Sequence, residues 1–207
     1  WQRSPNIRLS VRGTSRSPTT WRGEGALTLG PSRFRGVKMK SASGDLHFGD
    51  GTYGLDHFVI TRDEGRGTGA FSYTPARREI KIDHVETTLS PKEAIMWIEP
   101  RFLEHVTPYR FHKIPHVLAN GIVQLGAGKQ KHLQLDISAP SGMAYTFNDK
   151  VLPFDQIAGT ILSTEDRRKI WGIKGTLFSG HLSDGAETSL GTNDLPPTAH
   201  PHARTHP

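Results

Sequence analysis

A strand-forming pattern that occurs twice constrains this chain more than any other feature of its sequence. Segments 36–48 and 150–162 each place a small residue and a glycine, Ser43-Gly44 and Ala158-Gly159, beside a short run in which apolar and polar residues alternate. Alternation with a period of two gives a strand one apolar and one polar face. A strand-turn-strand unit that recurs predicts a stacked β architecture, in which each unit buries its apolar face against its neighbours.

Alternating runs bounded by glycine, proline and aspartate turns extend over most of the chain. We expect a mainly β protein, with a curved antiparallel sheet that forms an open groove from two related units. The first unit is predicted at 1–88 and the second at 119–184. Residues 185–207 are rich in Gly, Thr, Pro and His without periodicity, which predicts a disordered tail.

One segment with helical spacing separates the two β regions, and we predict a helical insert with its connector at 89–118. Ser90-Pro91-Lys92-Glu93 is typical of a helix start, with serine as the cap, proline at the first helical position and Glu93 as the capping-box partner. Trp97 and Phe102 on this insert are expected to cover one end or edge of the sheet, because open edges need protection. An interfacial anchor is the alternative role for these two aromatic residues.

Composition excludes several classes of protein. The 207 residues contain no cysteine, so disulfide and thiolate chemistry are excluded. No apolar run is long enough to cross a bilayer as a helix. The net charge is +6, and residues 1–22 carry arginines without any acid, which suits contact with phosphate or a solvated chain end. Because the chain starts at Trp1, we expect it to be a piece of a longer protein.

The order of glycines, turns and apolar pairs resembles a known family. Segments 27–29, 43–48 and 50–51 supply two alternating strands and an Asp-Gly turn, and 66–71 supplies the glycine-rich strand that comes next. The run 119–125 after the helical insert is similar to the C-terminal region of the same family. The chain thus resembles the AsmA/TamB-like envelope proteins over about 7–184.

The resemblance implies a long β-sheet groove, curled like a taco, with an apolar inner face. Proteins of this family are anchored in the bacterial inner membrane, extend through the periplasm and are thought to conduct phospholipids to the outer membrane. It therefore implies phospholipid, the remainder of a longer membrane-anchored chain and envelope proteins as partners. No cofactor, metal ion or enzymatic activity is expected.

The apolar positions of the alternating strands are the candidate lipid-binding residues. They are Leu27, Leu29, Leu46, Phe48, Leu55, Phe58, Ile60, Phe71, Ile80, Ile82, Leu133, Leu135, Ile137, Ile157, Ile161, Ile173 and Leu177. A slip in the alternation at Asp56-His57 predicts an irregularity in that strand.

Two other functions fit parts of the sequence. A structural or adhesive cell-surface β-repeat protein would close the same apolar face into a dry core and bind no ligand. A polyanion binder would use the arginines of 1–22, but Trp1 and Trp21 are the only aromatic residues among them, which gives a thin stacking platform. We therefore expect no nucleic-acid partner.

Motifs for catalysis or metal binding are weak. His112 and His116 are interrupted by Pro115, and the histidines of 200–206 lie in the predicted tail. The glycines of 65–69 lead into a strand instead of a helix, which removes the basis of a phosphate loop. Ser179-Gly180-His181 lacks the surroundings of a nucleophile elbow.

Overall fold

The computed structural model describes residues 6–14, 17–98, 103–125, 131–164, 167–177, 180–182 and 190–191. These residues form the following strands: β1 (Asn6–Thr14), β2 (Ser17–Leu29), β3 (Ser32–Phe34), β4 (Val37–Met39), β5 (Ser41–Gly49), β6 (Thr52–Thr61), β7 (Arg66–Thr74), β8 (Glu79–Thr87), β9 (Tyr109–Phe111), β10 (His116–Gln124), β11 (Lys131–Ala139), β12 (Met143–Phe147), β13 (Lys150–Ser163), β14 (Arg167–Leu177), β15 (Gly180–Leu182) and β16 (Leu190–Gly191). The helices are α1 (Pro91–Ile98) and α2 (Leu103–Val106), and a 3-10 turn spans Pro75–Arg77.

Fourteen of these strands form one curved antiparallel sheet that is not closed into a barrel. Its strand order is β1-β2-β5-β6-β7-β8-β10-β11-β13-β12-β9, and β14 pairs with β13, β15 and β16. Strands β3 and β4 form a separate hairpin. The prediction of a mainly β protein with an open, curved antiparallel sheet and a short helical insert is confirmed.

The first half of the sheet is a meander in which strands β5 to β8 lie beside their neighbours in sequence. Tight turns make this order possible because they reverse the chain within a few residues. Asp50 and Gly51 join β5 to β6 with φ angles of 51° and 74°, the left-handed pair that suits the twist of a two-residue hairpin. The Asp-Gly dipeptide is the sequence signal for this turn.

In the second half of the sheet, β9 and β10 lie along one line and β11 and β12 along the next. The breaks between them lie side by side. Segment 112–115 separates β9 from β10, and 140–142 separates β11 from β12, while β13 pairs with both β11 and β12. The His112 amide donates to the Gly142 carbonyl at 3.1 Å and joins the two interruptions. Part of the connector that the sequence predicted up to residue 118 is therefore strand, because β12 and β8 supply backbone partners on either side of the interruption.

The two β regions belong to one sheet, since β8 from the first pairs with β10 from the second. The prediction that they are two related units is not confirmed. Within the predicted disordered tail the structure describes only Leu190–Gly191, which pair with β14 instead. The remainder of 185–207 lies outside the described residues.

The helical insert starts where the sequence predicts. The Ser90 carbonyl accepts hydrogen bonds from the amides of Glu93 at 3.1 Å and Ala94 at 2.9 Å. The Glu93 carboxylate bonds to Arg62 instead of returning to the cap, which corrects the predicted capping-box role. The Arg62 side chain is only 9% exposed and needs charge partners, so it competes effectively for this carboxylate.

The tightly packed residues are concentrated at one end of the sheet. The β3–β4 hairpin and the helical insert both connect strands at this end. Buried residues here include Val37, Leu89, Pro115, Ala139 and Met143. We call this the packed end, and the end formed by the β5–β6 and β7–β8 turns the turn end.

Candidate functional site

All of the residues that the sequence proposed for lipid binding lie on one face of the main sheet. Partners across an antiparallel ladder point to the same side, so the register traces this face from strand to strand. Leu46 pairs with Leu55, Leu55 with Phe71, and Phe71 with Ile82. Farther on, Leu135 pairs with Ile161. The same tracing places the other predicted residues on this side, which we call the apolar face.

Bulges keep the apolar face continuous. The register shifts between Leu55 and Phe58, and His57 has a left-handed φ of 46°. The extra residue returns Phe58 and Ile60 to the side of Leu55, which simple alternation would have reversed. The irregularity predicted at Asp56-His57 is therefore confirmed.

A second bulge of the same kind occurs on β8, which is two strands away from β6. His84 has the same φ of 46°, and the register of β8 shifts there as well. Both bulges carry the same short pattern, an apolar residue followed by Asp, His and another apolar residue (Leu55 to Phe58, and Ile82 to Val85). Comparing the two segments would have predicted the second bulge from the sequence.

Gly69 lies between the two bulges on β7. Its φ of 143° is one that side-chain-bearing residues rarely adopt, and a Cβ there would meet the His84 carbonyl oxygen and the Val85 Cα at 2.7 Å. The backbone of β8 therefore lies close to β7 at this point, and only glycine fits without strain.

The apolar face is half-sheltered. Among the predicted lipid-binding residues Phe58 is buried, Phe71 is 38% exposed, and the others are half-buried. On β8, Ile80 and Ile82 are half-buried whereas Lys81 and Asp83 on the opposite face are exposed. In the described part of the chain only the packed end brings helices and the hairpin near this face. The shelter elsewhere thus comes from neighbouring strands of the curved sheet.

The set of candidate lipid-binding residues was incomplete, because this face has further members. They are Tyr53, Tyr73, Val85, Val117, Val123, Met143 and Phe154, which the register places among the predicted set. The alternation that identified Ile80 and Ile82 extends to Val85 once the His84 bulge is recognised. Val123 pairs with Ile80 and is buried.

Arg62 closes the apolar face at the packed end. Its side chain is 9% exposed and bonds to the carboxylates of Glu64 and Glu93. Its Nη1 donates to the Lys38 carbonyl at 2.7 Å, and its guanidinium lies 5.6 Å from the centroid of the Trp97 ring. Arg62 therefore joins the end of β6 to β4 and to α1. Trp97, which we expected to cover an end or edge of the sheet, lies beside Arg62 at the packed end, and Phe102 lies outside the described residues.

The opposite face carries pairs of histidine and carboxylate. His57 Nδ1 lies 3.0 Å from Asp45, and His47 Nδ1 lies 2.8 Å from Asp56. The hydrogen bond from neighbouring His84, at 2.9 Å, is the main cause that holds the pKa of Asp83 below its ordinary value. These pairs are open to water, so each contributes little to stability.

The described residues hold no group of three or more His, Cys, Asp or Glu side chains that could bind a metal ion. The ring of His112 bonds to the Ser141 carbonyl, while His116 bonds to Glu86, so these two histidines have separate partners. The histidines of 200–206 and Ser179 lie outside the described residues. Among the helices described, none is long and apolar enough to span a bilayer.

Comparison with family models, curated proteins and solved structures found no match to this chain. The resemblance to AsmA/TamB-like proteins therefore stays a prediction. The apolar face itself is the feature of the molecule from which a function can be inferred.

Proposed function

We propose that this chain is a segment of an AsmA/TamB-like bacterial envelope protein whose apolar face binds phospholipid acyl chains and conducts them between membranes. The observation that carries the proposal is one apolar face that crosses the whole main sheet. Over most of that face, no second layer of described residues packs against it. A contiguous apolar surface that stays partly accessible to solvent is typical of a binding surface.

The chemistry of the face suits hydrocarbon. Burying an acyl chain contributes about 0.8 kcal/mol for each methylene group, so a chain gains affinity without polar contacts. Apolar side chains, aliphatic and aromatic, recur on this face from β2 to β14, and they distribute this affinity along the sheet. Evenly distributed affinity allows a guest to move, because no single deep site retains it.

The proposal includes the setting that the resemblance implies. The protein would act in the periplasm, held to the inner membrane through a further part of a longer chain. Phospholipid would be the ligand, and the remainder of that longer chain and other envelope proteins would be partners. No enzymatic step and no cofactor belong to this proposal.

The test is whether phospholipid co-purifies with the chain through the apolar face. Leu46→Asp combined with Leu135→Asp puts two carboxylates on the face, one in each half of the sheet. A carboxylate against methylene groups costs well over 1.4 kcal/mol, and each 1.4 kcal/mol is about tenfold in affinity. We expect mass spectrometry to find the phospholipid content reduced by about tenfold or more.

The matched control is Ser43→Asp combined with Ser138→Asp. These serines lie on the same two strands but on the polar face, and the change in charge is identical. The control should keep the bound phospholipid, and circular dichroism should show the same fold for both variants. Wild-type protein that carries no phospholipid, or equal content in both variants, would contradict the proposal.

The closed-core alternative, a structural or adhesive surface protein, requires the apolar face to be sealed by the protein's own side chains. In the described residues the buried apolar side chains lie mainly at the packed end. The half-buried state of Leu46, Leu135 and Ile161 weighs against a dry core over the rest of the face.

A further inference from the structure

The β3–β4 hairpin stands apart from the main sheet and has two different sides. The pairs Phe34–Val37 and Ser32–Met39 form its apolar side. Val37 is buried, and β4 contacts α1, so this side packs toward the helical insert. The pair Arg33–Lys38 lies on the other side, which is exposed to solvent.

The basic side of the hairpin brings like charges together. Arg33 and Lys38 are direct cross-strand partners, an arrangement that destabilises a hairpin unless an anion is present. No acidic residue occurs between Gly30 and Gly44. Within the described residues neither Arg33 nor Lys38 makes an ion pair with a carboxylate. Asp63 is the acidic residue close enough for its charge to interact with that of Lys38, but its ion pair is with Lys40. The hairpin thus carries more positive than negative charge.

Two more cations, Lys40 and Arg35, lie beside this pair and bond to residues outside the hairpin. Lys40 bonds to Asp63 at 2.8 Å, and that hydrogen bond is the main cause that lowers the pKa of Asp63. Arg35 donates to the Trp97 carbonyl at 3.2 Å. These contacts hold the hairpin against the packed end and leave the Arg33–Lys38 side facing outward.

The tip of the hairpin carries an exposed aromatic ring. Phe34 is 52% exposed, and the Arg35 guanidinium lies 5.6 Å from its ring centroid. Arg35 and Gly36 form a tight turn with φ angles of 48° and 82°, so Phe34 projects at the end of a short, rigid element. An exposed aromatic ring among cations fits the boundary between phosphate headgroups and acyl chains.

We infer that the β3–β4 hairpin is a docking surface for an anionic phospholipid bilayer. Phe34 lies on the opposite side of the hairpin from Arg33 and Lys38, so the hairpin would meet the bilayer with its tip. Phe34, beside the turn, would enter the headgroup boundary, and Arg33 and Lys38 would pair with the headgroup phosphates around it. The inference rests on the proposed function in one respect, because the bilayer would supply or receive the lipid that the apolar face binds. A single-stranded nucleic acid is another extended polyanion, but proteins bind it with several aromatic rings that stack on its bases, and this hairpin offers only Phe34. A duplex binds through its phosphates alone, so duplex DNA is included in the test.

The experiment is co-sedimentation of the chain with vesicles of phosphatidylcholine alone and of phosphatidylcholine mixed with phosphatidylglycerol. We expect binding to the anionic vesicles only, and weaker binding as salt is raised, because exposed charges are screened. Arg33→Glu combined with Lys38→Glu should weaken that binding by about tenfold or more, since each cation near the surface contributes about fivefold. Phe34→Ala should weaken it at every salt concentration.

The matched control is Arg77→Glu combined with Arg78→Glu, which makes the same change in net charge at the turn end. It should bind anionic vesicles like the wild type. The neutral variant Arg33→Gln with Lys38→Gln repeats the test without new like-charge pairs, and circular dichroism checks its fold. Failure of the wild type to bind, equal loss in the control, or binding to duplex DNA in place of vesicles would overturn the inference.

Different variants test the two proposals, lipid binding by the apolar face and bilayer docking by the hairpin. The hairpin variants should retain co-purified phospholipid, because the apolar face is intact. The Leu46→Asp, Leu135→Asp variant should still bind anionic vesicles, because the hairpin is intact. Loss of vesicle binding in that variant would mean that the apolar face, not the hairpin, holds the bilayer.

Discussion

At the scale of single residues, Arg62 shows how charge and packing combine. Burial by itself raises the pKa of the Glu64 carboxyl, but the hydrogen bonds from Arg62 and from the Glu64 backbone bring it below its ordinary value. Glu64 therefore stays ionised and keeps its partner at neutral pH. The bonds that Arg62 makes to Glu64 and Glu93 hold α1 against the end of β6.

Replacing Arg62 by Met should lower the free energy of unfolding by about 2–3 kcal/mol, because two partly sheltered carboxylates lose their partner. Urea unfolding at neutral pH measures this change. Arg22→Met is the matched control, since its ion pair with Asp50 is open to water at both ends and should contribute less than about 1 kcal/mol. Similar losses in the two variants would show that Arg62 is only another surface charge.

Little of the Arg62 cluster could be predicted from the sequence. Arg62 directly follows an alternating strand, where a charged residue ordinarily starts a turn. Its partner Glu93 lies on the helical insert, far away in sequence. The sequence predicted that Glu93 would bond within its own helix, as part of a capping box. Contacts between distant segments depend on the order of the strands in the sheet. Alternation within one strand does not indicate that order.

At the scale of strands, the bulges decide which side chains reach the apolar face. The sequence predicted the irregularity at His57 because the alternation slips visibly between Leu55 and Phe58. The one at His84 was missed because Ile80 and Ile82 alternate without a break before it. The β3–β4 hairpin was missed as well, since Arg35 is an unusual residue for a left-handed turn position.

Gly69→Ala should lower the free energy of unfolding by about 2–3 kcal/mol. The new methyl group would meet the backbone of β8 at 2.7 Å, and the φ of 143° strains any residue with a side chain. Gly67→Ala is the control on the same strand and face. Its methyl group would meet the end of the Leu89 side chain at 3.3 Å, at an ordinary φ, so roughly 1 kcal/mol is expected. Urea unfolding compares them, and equal losses would contradict a special role for Gly69.

At the scale of the whole molecule, the alternating pattern was enough to predict the class of fold. Period-two alternation can be recognised within a single segment. Each strand that shows it has one apolar face, which it turns toward the apolar side of the sheet. The strand order was beyond such reasoning, because β13 pairs with both β11 and β12 across an interruption that no single segment reveals. All of the predicted lipid-binding residues still share one face, since alternation and its slips determine the face strand by strand.

Ligand binding to the open face should raise the thermal midpoint. A ligand that binds only the folded state adds about 2.7 kcal/mol at one hundred times its dissociation constant, or roughly 5–10 °C for a chain of this size. A short-chain phosphatidylcholine below its micelle concentration is the probe, and scanning calorimetry is the measurement. The Leu46→Asp, Leu135→Asp variant should show no shift, and an equal shift in that variant would contradict binding at the apolar face.

Buried side chains concentrate at one end of the sheet, and this limits how a bound acyl chain could move along the apolar face. The helical insert and the interrupted strands close the packed end of the sheet, whereas the described residues at the turn end that link its strands form turns. Under the proposed function, an acyl chain that enters at the turn end would stop at the packed end and leave by the same route. Movement along the whole face would require α1 to shift, and the bond between Arg62 and Glu93 would oppose that shift.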